Sequence, residues 1–512
     1  MRKSAIGFLL LLAVLVFVAC SGSTTNTPPD ADADSADDLD GEEETAADGE
    51  EIDEEADDEI DAADNLDADE TAPPASRLGR AADPVIVTGA ALAPLFGVAP
   101  DRLAAFRYDA ETVAWNQIPF QADERHLTDY YDLYNRQETS PGTMVLAYSD
   151  PGTLAGADPE AGLDAADELL FMARDAGDRA QGASEPEGVV QGTGIEVHVT
   201  DPGELEREAW VYLFQHEGSL RSDAGVSLGE YSFVLIDGTY PDDYGFRSGP
   251  NPEDSWFKSA LYERHFEDRW IGDVMRIKTE GSSGADILDI HNNQFLPGVC
   301  SRSVVTFSEG EGAFVTNKQG PLRSIRSYIG ANSGPRTQRT HFFYEGREDI
   351  LTDLRVHTIG SMYDFFDFSA EAVGMTYLND LLPEGVTIDG EPDGVGPDMP
   401  RWELVRGAPG GLVILQRHYT NLELIINGFY RDEAPATAAP CYGDENSYGL
   451  CGSEIPLQSG IPCTDPGQGC DGVLQAVRIV YYERPDVTAE EAAERARFAD
   501  QPLTVELAAW EK

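Results

Sequence analysis

The runs Gln338-Arg-Thr-His-Phe-Phe-Tyr344 and Ile350-Leu-Thr-Asp-Leu-Arg-Val-His357, joined by Glu345-Gly-Arg-Glu-Asp349, decide the fold. Side chains of one character recur at every second position, which is the period of a strand. Two such runs around a short polar segment with a glycine read as an antiparallel hairpin. With the turn centred on Arg347, Arg339 faces Arg355 and His341 faces Asp353. Phe342, Tyr344, Ile350, Leu354 and Val356 then share an apolar, core-directed face. Arg339, His341, Arg355 and His357 share the other.

The same period recurs on both sides of this hairpin. Val85–Val87, Glu196–Val199, Trp210–Phe214, Tyr231–Ile236, Val274–Ile277 and Val304–Phe307 read as strands. So do Leu412–Leu415, Leu422–Ile426, Ala476–Tyr482 and Leu503–Leu507, with Gly, Pro, Asp and Asn clusters between them. One helix is clear: Thr488-Ala-Glu-Glu491 is a capping box ahead of an alanine-rich stretch. Many strands with almost no alternating helices predict an all-β protein, an antiparallel β-sandwich or supersandwich with few short helices. The expected division is a smaller β region over 84–185 followed by a large sandwich domain over 190–512.

Charge narrows the function. The 512 residues carry 35 Lys+Arg against 94 Asp+Glu, a formal charge of −59. That balance excludes a nucleic-acid partner, which needs clustered cations to neutralise phosphates. Twenty-three of the acids crowd into Asp30–Glu70 without a single base, leaving −38 on residues 71–512. Only five of the cations are lysines. An acidic, lysine-poor surface stays hydrated in concentrated salt, where screening suppresses self-repulsion.

The first twenty residues read as an address. Arg2 and Lys3 precede an apolar run from Ala5 to Ala19, too short for a comfortable membrane span and suited to a secretory signal. Phe17-Val18-Ala19-Cys20 resembles the lipobox of bacterial lipoproteins, although leucine usually stands where Phe17 does. The resemblance implies cleavage before Cys20, a lipid (palmitate) on that residue, and a membrane as partner. Ser21 after the cysteine implies sorting to the outer membrane of a Gram-negative envelope. Residues 21–80, acidic and without aromatics over their acidic run, are expected to form a disordered tether.

Three further pieces carry a second resemblance. They are Trp115-x-x-Ile118-Pro119-Phe120-Gln121-x-Asp123, Asp167-Glu168-Leu169-Leu170-Phe171-Met172-Ala173, and Gly320-Pro321-Leu322-Arg323-Ser324-Ile325. Their order is similar to that in secreted bacterial proteins with a galactose-mutarotase-like supersandwich. The resemblance implies that the P-x-Q-x-D strand pairs with the D-E-L-x-F strand and that G-P-x-R lies in the large sandwich. Glycan binding, polysaccharide lyase and other sugar-processing activities recur on that fold, so the resemblance implies glycan chemistry without choosing a reaction.

Within the folded region, Arg323–His357 departs from the acid excess. It holds Arg323, Arg326, Arg336, Arg339, Arg347 and Arg355 against Glu345, Glu348, Asp349 and Asp353. Its polar hairpin face, Arg339, His341, Arg355 and His357, is the candidate site for a polysaccharide or another anionic ligand. In a lyase or hydrolase, His341 or His357 would be the catalytic base. The bland reading pairs these arginines with acids on neighbouring strands. Asp389-x-Glu391-x-Asp393-Gly394 matches the start of a calcium loop, but Pro400 stands where the closing glutamate belongs, so calcium is a weak candidate and no other cofactor is implied. Cys441, Cys451, Cys463 and Cys470 lie in a polar insertion over 441–470 and are disulfide candidates in an exported protein, with Cys300 left over. Three functions follow: an envelope protein binding glycans or anions, a polysaccharide-processing enzyme, or an assembly lipoprotein without a small ligand.

Overall fold

The hairpin forms, with a tighter turn. In the computed structural model the Tyr344 N–H donates to the Arg347 carbonyl at 2.8 Å, so the chain reverses between Glu345 and Gly346. Gly334–Phe343 and Arg347–Leu354 therefore pair Arg339 with Thr352, His341 with Ile350 and Phe343 with Glu348. Moving the turn this way slips the register by three residues, and an odd slip exchanges faces across a strand pair. Arg339 and His341 thus share a face with Ile350 and Leu354, opposite to Phe342, which corrects the facing assigned from sequence. The structure describes residues 76–133, 144–237, 251–295, 312–331, 334–354, 361–435, 446–456, 472 and 474–511. Arg355, His357, the Val304–Phe307 strand, Cys300, the signal segment and residues 21–75 of the tether lie outside them. Of the rest of the tether, Leu78 is buried in a core and Arg80 pairs with Asp201, so the packed region starts before residue 80.

Ala75–Lys512 is one compact unit. It is an all-β sandwich, its strands joined into antiparallel sheets with two α-helices among the described residues. An eight-stranded sheet includes Tyr262–Asp268, Leu288–Phe295, Ser361–Phe368 and Ser447–Pro456. A nine-stranded sheet includes the hairpin, Leu474–Glu483, Gly410–Thr420 and Glu403–Gly407. The two face each other across one core, in which Phe257 stacks on Phe343 at 4.8 Å and Tyr262 on Tyr482 at 3.6 Å.

The far face of the nine-stranded sheet is covered as well. The helix Ala489–Asp500, started by the Thr488–Glu491 capping box, lays Ala492 and Ala496 against Leu404, Val413 and Leu415. Pro84–Thr88, Glu168–Met172 and Gln121–Asp123 form a small sheet whose Leu170 and Met172 pack on Ile325, Phe342 and Tyr344. Its other side packs against a five-stranded sheet ordered Thr504–Ala509, Ile195–Thr200, Glu208–Gln215, Leu103–Asp109, Ala114–Ile118. Strands from before 185 and after 190 share that sheet, so the smaller β region draws on both sides of the expected boundary.

The motif pieces make the seam between these parts. Gln121–Asp123 pairs with Glu168–Met172. The Gln121 Oε1 accepts the Leu322 and Arg323 N–H groups, each at 3.0 Å, while its Nε2 donates to the Arg323 carbonyl at 2.9 Å. Arg323 donates to Asp123 at 3.0 Å and to Glu168 at 2.8 Å. Gly320 is required here because a Cβ would collide with the Gln121 amide. Two expectations fail elsewhere. Leu422–Ile426 is not a strand; Leu422, Leu424 and Ile426 pack on the core from an irregular segment. Ser447–Pro456, placed by sequence inside a cysteine-rich loop, is a core strand.

Candidate functional site

A row of polar side chains crosses the interior between the two large sheets. Strands with both faces covered cannot alternate core with solvent, and here the row shares the inter-sheet face with apolar Phe343, Ile350, Ile414 and Val480. From the eight-stranded sheet come Arg264, His291 and Asp364; from the nine-stranded sheet come Arg339, His341, Glu348, Gln416 and Arg478, all buried. Arg339 and His341 are 0% exposed, which removes them from any surface site.

At one end, Glu348 gathers Arg264 at 3.2 Å, His341 Nδ1 at 2.9 Å and the Tyr482 hydroxyl at 2.9 Å. A carboxylate only accepts, so His341 carries its proton on Nδ1, leaving Nε2 to accept from the Tyr328 hydroxyl at 3.2 Å. Burial drives His341 down to about 3, against the pull of Glu348. Burial pushes the Glu348 carboxyl up, but Arg264 and His341 outweigh it and hold the group at about 2.

In the middle, Arg339 and Arg478 reach Asp364 at 3.2 and 3.3 Å. Burial alone would raise Asp364; the two guanidiniums reverse that and keep it ionised far below the usual range. His291 lies between Arg264 (3.3 Å to Nδ1) and Arg339 (3.3 Å to Nε2), and burial holds it neutral. Beyond Arg478, Gln416 donates to Glu403 at 2.9 Å, and the Tyr377 hydroxyl donates to the same carboxyl at 3.0 Å. Burial raises Glu403 to about 6 despite those bonds. Next along the strand, His418 is only part-buried, so the row meets the surface there. Burial lowers it to about 4, with Asp364 pulling the other way.

Not every polar atom in the row is satisfied. Asn293, 0% exposed and opposite Asp364 in the register, has no partner for its amide oxygen or nitrogen among the described residues. Arg478, 3% exposed, has none there for its Nε. Both flank Asp364.

Comparison with known proteins adds little. No protein-family model matches the sequence, and no curated protein is significantly similar to it. Among solved structures, a "putative mutarotase" (YeaD) from Salmonella typhimurium is similar at a TM-score of 0.27 and 11% identity, over 49% of this chain and 97% of that one. A "putative aldose 1-epimerase" from Escherichia coli K12 is similar at 0.22 and 10%, over 49% of this chain and all of the other. The likeness is distant. It assigns no reaction to this chain.

The remaining sequence candidates scatter. Of the basic segment, Arg323 pairs with Asp123 and Glu168, Arg326 with Glu253, Arg339 with Asp364 and Arg347 with Asp83 and Asp349. These four arginines are thus neutralised, Arg347 partly by Asp349 of its own segment and the others by acids from elsewhere. A His341 at about 3 is too weak and too enclosed for the base role assigned from sequence. Arg355 and His357 lie outside the described residues. The Asp389 carboxylate accepts the Glu391 N–H at 3.0 Å, and no group of three His, Cys, Asp or Glu able to hold a metal forms among the described residues. Cys451 is a free, buried thiol in the central core, which corrects its assignment to a loop disulfide. Cys20, Cys441, Cys463 and Cys470 lie outside the described residues. Arg264, Glu348, Glu403 and Arg478 were not singled out as site residues from sequence. Their signal was a charged residue inside an apolar strand, as in Val477-Arg478-Ile479-Val480.

Proposed function

We propose that this chain is an exported, lipid-anchored protein of a Gram-negative outer membrane. Its sandwich binds a glycan, or another hydroxyl-rich or anionic ligand, at the His418 end of the polar row. The ligand half of this reading rests on one observation: the Asn293 amide and the Arg478 Nε, deeply buried, lack partners among the described residues. Such atoms cost about 1–3 kcal/mol each unless water or a ligand satisfies them. The anchor half rests on the Phe17–Cys20 lipobox and the acidic run behind it.

A glycan array probed in high salt with the detergent-solubilised chain tests the ligand. Binding is expected for the native chain and lost in Asn293→Leu, whose isosteric apolar side chain leaves thermal stability equal or higher. No hit on the array, or undiminished binding by Asn293→Leu, sinks the proposal. Palmitate labelling tests the anchor: it is expected to disappear in Cys20→Ser, and label that persists refutes it. A second reading, an assembly lipoprotein without a small ligand, is favoured by the complete enclosure of Arg339 and His341 in ion pairs. An empty array together with intact labelling would leave that reading in place.

A further inference from the structure

We propose that Thr504–Ala509 is a docking edge for a second copy of this chain, joined by antiparallel strand addition across a two-fold axis at Leu507. The proposal goes beyond the ligand and anchor readings and rests on neither. Thr504–Ala509 ends the five-stranded sheet: one side pairs with Ile195–Thr200 without a register shift, and no described strand pairs with the other. The Trp510 N–H donates to the Gly194 carbonyl at 2.9 Å. Backbone groups alternate sides along an antiparallel strand, so those of Thr504, Glu506 and Ala508 also point at Ile195–Thr200. Those of Val505, Leu507 and Ala509 point away from the sheet. The ends of the two large sheets are blunted by comparison. The Pro397 carbonyl accepts the Gly428 N–H beside Asn427–Glu433, and the Val315 carbonyl accepts the Ala155 N–H beside Ala313–Lys318. Pro383 and the positive-φ Gly385 interrupt Leu382–Thr387, and Gly229–Ser232 is only four residues long. Thr504–Ala509 has no proline, lysine or bulge to protect it.

The side chains point to the same occupant. Leu503, Val505 and Leu507 are half-buried at the margin of the core that holds Val197 and Val199, so a further strand completes their burial. A two-fold axis through Leu507 sets Leu507 opposite Leu507 of the second copy and Val505 opposite its Ala509. Apolar residues thus meet on the core side, and every outward N–H and C=O finds a partner. Glu506, the one charged residue in 502–510, falls opposite Ala508 instead of its own copy. In a unit carrying −38, this is a stretch on which a second acidic unit settles without bringing carboxylates together. One strand pair buries less than the about 1,200 Å² of a standard interface, so the association is reversible. It strengthens as salt screens the repulsion between the two acidic units.

Sedimentation equilibrium of the detergent-solubilised, density-matched full chain tests this, from about 5 to about 500 µM in molar potassium chloride. A monomer–dimer equilibrium is expected, at least tenfold weaker in low salt and in Ala509→Pro. Because the Ala509 N–H points outward, proline there removes bonds between copies while the ladder to Ile195–Thr200 and the thermal midpoint stay intact. Leu507→Lys, which sets like charges together on the axis, is expected to lose the dimer as well. A thiol cross-linker shorter than about 10 Å reads the register. Leu507→Cys is expected to link two copies above the native-chain level; Thr504→Cys, whose two copies lie roughly 20 Å apart, is not. Monomer at every concentration in molar salt overturns the proposal. A dimer left intact by both variants, or a link at position 504 without one at 507, overturns the placement. A chain that stays monomeric while this edge captures an unrelated strand-forming peptide overturns the second copy as its occupant. If Ala509→Pro does not fold, Leu507→Lys and the cross-linking pattern still decide.

Discussion

His341 and His291 sit between charged partners yet remain neutral, because removal from water outweighs the pull of Glu348 on one and of Asp364 on the other. Their folded values fall below the ordinary 6.5, so the unfolded chain binds more protons below that pH and stability falls as pH drops. For His341 the loss begins near 6.5 and continues to about 3; His418, at about 4, acts in the same direction. Glu403 opposes them: raised to about 6, it stabilises the fold at low pH and loses that contribution as pH rises through 6. Within the row the three histidines outweigh Glu403; outside it His265, which burial would lower but Asp273 and Asp254 raise, also opposes them. The unfolding free energy from urea titration is therefore expected to fall between pH 7 and 5, by on the order of 3 kcal/mol. A free energy that is flat or rises over that interval contradicts the neutral assignment. None of this was legible in the sequence, since the row collects residues from 264 to 478 whose adjacency arises only when two sheets close. The sequence did mark Arg339 and His341 as unusual, but it placed them in water.

At the scale of elements, most strands were legible because their alternation is local, and the helix because its capping box is. The hairpin shows where such reading stops. Its two strands were recognised, but the Tyr344–Arg347 turn is shorter than the polar segment suggested, and the odd slip inverted the facing. Cys451 was misplaced for a related reason: Ser447–Pro456 carries glycines and polar residues that resemble a loop, although neighbouring strands pair with both its edges. The paired motif pieces proved architectural. Gln121 satisfies the backbone at Leu322 and Arg323 and braces Asp123, so Gln121→Ala leaves several buried groups unpaired at once. A loss of about 2–4 kcal/mol is expected. The 84–130 region should become cleavable by protease under conditions in which the native chain resists, with glycan binding unchanged in whatever remains folded.

The whole molecule carries its charge on the outside while most described interior arginines have carboxylate partners. Acids outnumber bases across residues 71–512 by 38, so the described surface repels itself in dilute buffer. Raising potassium chloride from low to molar concentration is expected to raise the thermal midpoint by several degrees. A midpoint that falls instead would assign the acid excess to something other than salt adaptation. The last described strand adds a consequence in time. Thr504–Ala509 pairs with Ile195–Thr200, in the sheet that also holds Leu103–Asp109. That edge is bare until residues 504–509 have been made. A ribosome would have added about 300 further residues before that sheet could finish closing. Late completion of this kind keeps the earlier strands threadable, because the open edge of Ile195–Thr200 waits for a partner encoded far downstream.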